Sequence, residues 1–266
     1  MQPFPIYQVD AFTSTPLRGN PAAVCLLTTP LPDITLQAIA AENNLAETAF
    51  LVPQAHGYHL RWFTPTAEVP LCGHATLASA HVLWETGRAA LPDAIHFHTL
   101  SGTLLASRDA DGAITLDFPV SPGKAVELPS AIQQAIPARI VHASSHGDRY
   151  VLELENAEAV ETLQPDFTVI KATGGVVITA RGKTGTPYDF ISRFFASHIG
   201  IDEDPVTGSA HCCLAAYWAP LLGKKDFRAY QASARGGEMR VQLVGDRVLM
   251  TGNAVTVLKG EFVRYE

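Results

Sequence analysis

Basic residues are in short supply, with 19 lysines and arginines against 26 aspartates and glutamates and a formal net charge of −7 over 266 residues. Without a basic stripe the chain has nothing to track a phosphate backbone or an anionic bilayer, which argues against nucleic acid and membrane surfaces as partners. No apolar run approaches the length of a bilayer span. The opening MQPFPIYQVDAF goes straight into strand-like alternation, with no charged segment followed by an apolar one, so a cytoplasmic protein is expected. Cysteine is sparse as well. Four thiols (Cys25, Cys72, Cys212, Cys213) in a chain this long build no disulfide framework, and no CxxC spacing marks zinc. The histidine pairs His56/His59 and His96/His98 lack a third ligand at metal-binding spacing, and no metal site is expected. Gly182-Lys183-Thr184 lacks the upstream glycine of a phosphate loop, a place held by Val177, and reads as a hairpin turn. No glycine-rich dinucleotide fingerprint follows any strand, which leaves nicotinamide and flavin cofactors without a seat.

What the chain does have is an internal repeat. Residues 68–84, EVPLCGHATLASAHVLW, return half a chain later as residues 203–218, EDPVTGSAHCCLAAYW. Aligning the glycines sets Glu68 on Glu203, Pro70 on Pro205, Cys72 on Thr207, Gly73 on Gly208 and His74 on Ser209. Upstream, LRWFTP and SRFFAS each supply Arg-aromatic-Phe before the motif. Duplication is the economical explanation. Each copy describes a loop that turns at a proline and opens into a helix beginning on glycine, over residues 73–85 and 208–222, with Gly87 and Gly223 as stop signals. Both helices are apolar nearly all round and must be enclosed by strands. A helix start of this kind offers unpaired backbone N–H groups and the positive end of the dipole to a carboxylate.

The remaining pattern is strand-rich, with turns at Asp111-Gly112, His146-Gly147-Asp148 and the Gly-Gly, Gly-Asp and Gly-Asn pairs near the carboxyl end. Strands are expected near residues 6–12, 22–27 and 60–63, and helices over 33–42 and 157–163. The expected fold is α+β: two similar halves, residues 1–120 and 121–266, each a mixed, curled sheet around one central helix, joined by SPGKAVELPS. Small carboxylic acids are expected to bind in a cleft between the halves, near Gly73 and Gly208. Exposed strand edges suggest a homodimer.

Among side chains able to do chemistry, Glu47 is a lone carboxylate where the polar NNLAE gives way to a buried strand. It is either a surface-edge glutamate or a partly desolvated acid and base, with a raised pKa, that takes and returns a proton. Asp204 precedes Pro205 and is held extended, as an ordinary turn residue or as a site residue; the first copy has Val69 there. His74 and Ser209, second in their helices, can reach a docked ligand or act as local caps. Cys72, if exposed beside the dipole, would have a lowered thiol pKa. Cys212 and Cys213 belong to the core.

QVDAFTSTPLRGNPAAV, NNLAETAF, CGHATLASA and EDPVTGSA resemble, in order and across the whole chain, the signature stretches of the phenazine biosynthesis PhzF-like family, itself related to diaminopimelate epimerase and proline racemase. The resemblance implies two similar halves with the active site between them. It implies a proton-transfer isomerase in which Glu47 shuttles a proton between two carbons of an unsaturated acid without metal or organic cofactor. His74, Asp204 and Ser209 match the family's other site residues, completed by backbone groups at Gly73 and Gly208. Racemases of the superfamily use a cysteine at each helix start; here Cys72 has no mate, since Thr207 holds the second place. A two-thiol racemase is excluded, while a single-thiol epimerase or dehydratase using Cys72, or a non-catalytic binder of small anions, stays open.

Overall fold

The computed structural model describes residues 2–197 and 200–263. It divides the chain into two compact units, one running to Asp117 and resuming at Thr251, the other spanning Phe118–Met250.

The first unit carries β1 (Phe4–Ala11), β2 (Asn20–Leu26), α1 (Asp33–Asn43), β3 (Glu47–Pro53), β4 (Tyr58–Phe63), β5 (Glu68–Val69), α2 (Gly73–Glu85), β6 (Ile95–Thr99), β7 (Gly102–Arg108) and β8 (Ile114–Pro119). The second carries β9 (Lys124–Ala125), α3 (Ser130–Ala135), β10 (Ile140–His146), β11 (Arg149–Leu154), α4 (Ala157–Thr162), α5 (Phe167–Thr173), β12 (Gly175–Arg181), β13 (Phe190–Ala196), β14 (Ile201–Asp204), α6 (Gly208–Leu222), β15 (Asp226–Gln231), β16 (Gly237–Val244) and β17 (Arg247–Gly252). A last strand, β18 (Ala254–Phe262), pairs antiparallel with β1.

The pairing pattern repeats strand for strand. In the first unit β1–β2 is antiparallel, β2–β3 parallel and β3–β4 antiparallel; β4 then takes β5 antiparallel and β6 parallel, and β6–β7 is antiparallel. In the second, β10 to β16 follow the same sequence of directions, with β13 taking β14 antiparallel and β15 parallel. Parallel neighbours need a crossover. Accordingly α1 in one unit, and α4 with α5 in the other, link the first parallel pair, while α2 and α6 link the second. This is the α+β architecture of mixed sheets expected from the repeat.

The two motif helices have the bounds expected from sequence. Ala75, Leu77, Ala78, Ala80, Val82 and Leu83 of α2 are buried, and the helix packs on β1, β2, β3 and β18. Each large apolar side chain so enclosed contributes roughly 1.5–3 kcal/mol. In α6 the buried set is Ala210 to Ala215 and Trp218, and Gly223 ends the helix in the left-handed region. No helix among the described residues is long and apolar enough to cross a membrane.

Two expectations need correction. The units part at Asp117/Phe118, close to the expected 120/121, but the carboxyl end returns to the first unit because β18 completes the sheet beside β1. SPGKAVELPS is not a bare linker: Lys124 and Ala125 pair with Ser145 and Ser144 of β10. At the start of α5 the Asp166 carboxylate accepts from the N–H groups of Thr168 and Val169 and caps the helix.

Candidate active site

In the first unit the elements converge on one short cluster. Gly19 has φ +65°, and a Cβ there would sit 2.2 Å from the carbonyl oxygen of Ala11. Only glycine lets the chain turn that tightly, and the turn delivers Asn20 as the first residue of β2. Asn44, left-handed with φ 49°, closes α1 and brings Glu47 to the start of β3, where Ala22 is its partner on β2. Cys72, extended at φ −145° and ψ 118°, precedes Gly73, and the first turn of α2 carries His74.

His74 is the hub. Its Nε2 lies 3.1 Å from Glu47 Oε2, its Nδ1 lies 3.0 Å from Asn20 Nδ2, and Cys72 Sγ is 3.6 Å from the same Nδ1. The Glu47 side chain is 14% exposed, so the partly enclosed carboxylate is found and not the surface-edge one. The Nε2 and Oε2 atoms lie close, yet both are buried without a well-formed hydrogen bond. Burial pushes the Cys72 thiol up, and the Glu47 charge adds to the push, so Cys72 keeps its proton at neutral pH. This reverses the lowered thiol expected from the helix dipole, because that effect needs exposure and Cys72 is 7% exposed. For His74, burial works against the imidazolium, while negative charge at Cys72 and then at Glu47 favours it, and the net direction is up. With Cys72 a thiol at neutral pH the first of those pulls is absent, and Glu47 alone is set against burial.

Donor atoms of Glu47, Cys72 and His74 lie within 4.8 Å of one another, near enough on distance alone for a metal ion. The directions do not suit one. Glu47 meets Nε2 while Cys72 meets Nδ1, so a single ion cannot take both through one ring nitrogen without turning the ring.

In the second unit Thr207 precedes Gly208 as Cys72 precedes Gly73, extended at φ −118° and ψ 105°. Asp204 Oδ2 accepts from the Thr207 hydroxyl at 2.5 Å. Gln231, buried at the end of β15, accepts from the Thr207 N–H at 2.8 Å and donates to the Asp204 carbonyl at 2.7 Å. Ser209 Oγ receives Arg149 Nη1 at 2.8 Å. Arg149 is the first residue of β11, as Asn20 is of β2, so in each unit that place touches the second residue of the motif helix. Neither helix start has a side-chain cap, and the leading N–H groups of α2 and α6 lack intrahelical carbonyls. Cys212 and Cys213 are core residues as expected, and all four cysteines are free.

Three residues of this arrangement escape a reading of the sequence. Asn20 sits in RGNP, which reads as a turn; Arg149 sits just past the Gly147-Asp148 hairpin; Gln231 ends an ordinary strand. The first residue of each second strand is the one local signal, and it becomes visible only when the repeat is extended to the strands.

The chain is similar to proteins that cover it almost entirely. An uncharacterized isomerase of Halalkalibacterium halodurans is 47% identical over 99% of this chain and 100% of its own length, and an uncharacterized isomerase of Pseudomonas aeruginosa is 46% identical over 96% of each. A crystal structure of a phenazine biosynthesis protein of the PhzF family from Enterococcus faecalis superposes with a TM-score of 0.92 at 40% identity, over 98% of this chain and 99% of the other. A hydroxyproline epimerase from Agrobacterium vitis shares the fold at a TM-score of 0.63 and 12% identity, over 98% and 92% of the two chains. The family model described as phenazine biosynthesis-like protein, PhzC-PhzF, matches residues 9–260, and the chain belongs to that family.

Proposed function

We propose that the protein is an isomerase that moves a proton between carbons of a small unsaturated or amino carboxylic acid, with Glu47 taking and returning the proton. The observation that carries this reading is the contact of Glu47 with His74. Leaving two polar atoms buried and poorly bonded costs about 1–3 kcal/mol each, and such atoms are the ones a bound substrate can satisfy. Hydrogen bonds of this kind are commonly loose before substrate arrives. In this mechanism His74 orients the carboxylate through Nε2, and Glu47 removes a proton from one carbon and delivers it to another. Backbone N–H groups at Gly73 receive acid oxygens, and Gly208 and Ser209 offer the same at the second helix start, which Asp204 braces through Thr207. The reading includes no metal or organic cofactor, and a cytoplasmic homodimer.

The test is a screen of cyclic and acyclic unsaturated amino and hydroxy acids for deuterium uptake from solvent. Uptake at one carbon identifies the substrate class, and Glu47→Gln then removes turnover by at least about 10²–10⁴-fold, the usual worth of one positioned acid–base group, with substrate still bound. Turnover within tenfold of the parent would refute the role of Glu47.

A further inference from the structure

Histidine carries its proton on either nitrogen, and the hydrogen bond made by one decides the state of the other. At His74 both sides are defined by the fold. Nε2 faces the Glu47 carboxylate, where a lone pair would meet negative charge and an N–H is attracted. Nδ1 faces the amide nitrogen of Asn20, a donor with no acceptor capacity, and the Cys72 thiol, whose S–H is a weak donor. Both neighbours of Nδ1 therefore call for a lone pair there.

We infer that Asn20 is a positioning residue: its side-chain N–H, donated to His74 Nδ1, holds the imidazole neutral with its one proton on Nε2, facing Glu47. The inference deepens the isomerase reading and rests on it for its catalytic meaning, though not for the proton's place. Glu47 pulls His74 toward the doubly protonated state; the Asn20 donor opposes the second proton. The consequence is chemical. A neutral ring steadies the carboxylate through a single N–H without setting a full positive charge against it, so Glu47 remains an anion able to accept a proton from carbon. Asn20 is fully buried and fixed behind the Gly19 turn, which keeps its amide in place. In the second unit Arg149 occupies the same strand position and meets a serine in place of a histidine, so the pairing of donor with imidazole is peculiar to the first.

Nitrogen NMR of protein labelled at histidine reads the tautomer directly, without substrate. The parent at neutral pH is expected to show His74 neutral and protonated on Nε2. Asn20→Asp, which replaces the donor by a carboxylate, is expected to give the imidazolium at the same pH. Asn20→Leu is expected to lose the single tautomer. With substrate identified, both variants should lower kcat by roughly 10–100-fold, as removal of a group that orients a functional histidine does elsewhere, with KM nearly unchanged. A parent His74 carrying its proton on Nδ1, or charged at neutral pH, overturns the inference whether or not either variant folds. A tautomer as expected with no loss of kcat in either variant overturns its catalytic part. Failure to find any isomerase substrate would leave the NMR result standing and would bear on the function instead.

Discussion

Arg193 donates to both carboxylate oxygens of Glu203, Nε to Oε1 at 2.7 Å and Nη2 to Oε2 at 2.9 Å, and Arg61 holds Glu68 with the same two nitrogens at 2.7 and 2.6 Å. These are the arginine and glutamate of the repeated sequence, joined across β13–β14 and β4–β5. The third nitrogen, Nη1, turns in each unit to the helix region between the second and third strands of the repeat. It meets Asp33 of α1 in the first, and the carbonyls of Val160 and Leu163, at and just past the end of α4, in the second.

The two pairs should differ in worth. Arg193 is 9% exposed and has no second carboxylate among the described residues, so Glu203→Gln strands a buried charge and should cost about 3–5 kcal/mol. Glu68→Gln leaves Arg61 with Asp33 and more water, and should cost about 1 kcal/mol or less. Hydrogen exchange in peptides covering each pair measures the difference. The double replacement Arg193→Met with Glu203→Leu should recover much of the loss, since apolar packing often substitutes for a buried pair.

Gln231 ties the start of α6 to the preceding loop, bonding the Thr207 N–H, the Asp204 carbonyl and the Thr207 hydroxyl. Gln231→Leu leaves buried backbone groups unpaired at about 1–3 kcal/mol each. If substrate oxygens dock on that helix start, KM should rise more than kcat falls. A fall confined to kcat would speak against a binding role for Gly208 and Ser209.

Acid should weaken the second unit through His211. Burial holds this histidine at about 4, below the ordinary 6.5, although its bond to the Thr207 carbonyl pulls the other way. Above 6.5 neither the folded nor the unfolded chain binds the proton, and the group makes no difference. As pH falls below 6.5 the unfolded chain gains a proton that the folded one refuses, and stability drains away until the folded value near 4 is reached. The full loss is about 3 kcal/mol. His211→Gln, which can keep a bond to Thr207, should remove this part of the pH dependence between about 6.5 and 4. Denaturation midpoints across that range decide it; an unchanged slope would mean another group carries the acid sensitivity.

Much of this was legible because its signals are local. Both motif helices show their ends in a proline, a glycine and an apolar run, and the ion pairs are foreshadowed by Arg-aromatic-Phe and Glu-x-Pro in both copies. Glu47 and His74 stand out as polar residues opening apolar elements. The return of β18 to β1 does not, because strand partners at opposite ends of a chain leave no mark in either segment. Asn20 is hidden for a different reason. Gly-Asn-Pro has the composition of any turn, and its amide matters only because the fold sets the start of β2 beside His74, the second residue of α2.

The last prediction separates proton transfer by a carboxylate from transfer by a thiol. A nucleophilic or basic Cys72 must be a thiolate, and thiolates form where exposure or positive charge favours them. Here the thiol is buried and pushed up, with Glu47 opposing its ionisation. Iodoacetamide at neutral pH should therefore modify Cys72 slowly in the folded protein, and bound substrate should offer little further protection. Cys72→Ser should retain turnover within about tenfold, well short of the loss of a positioned acid–base group. It should also stabilise α2, since the helix lacks a side-chain cap and serine at that position is worth about 0.5–2 kcal/mol over a residue that cannot cap. The expected signature is a raised Tm with activity retained. Rapid alkylation of Cys72 that abolishes turnover, together with an active Glu47→Gln protein, would instead place the reaction on sulfur.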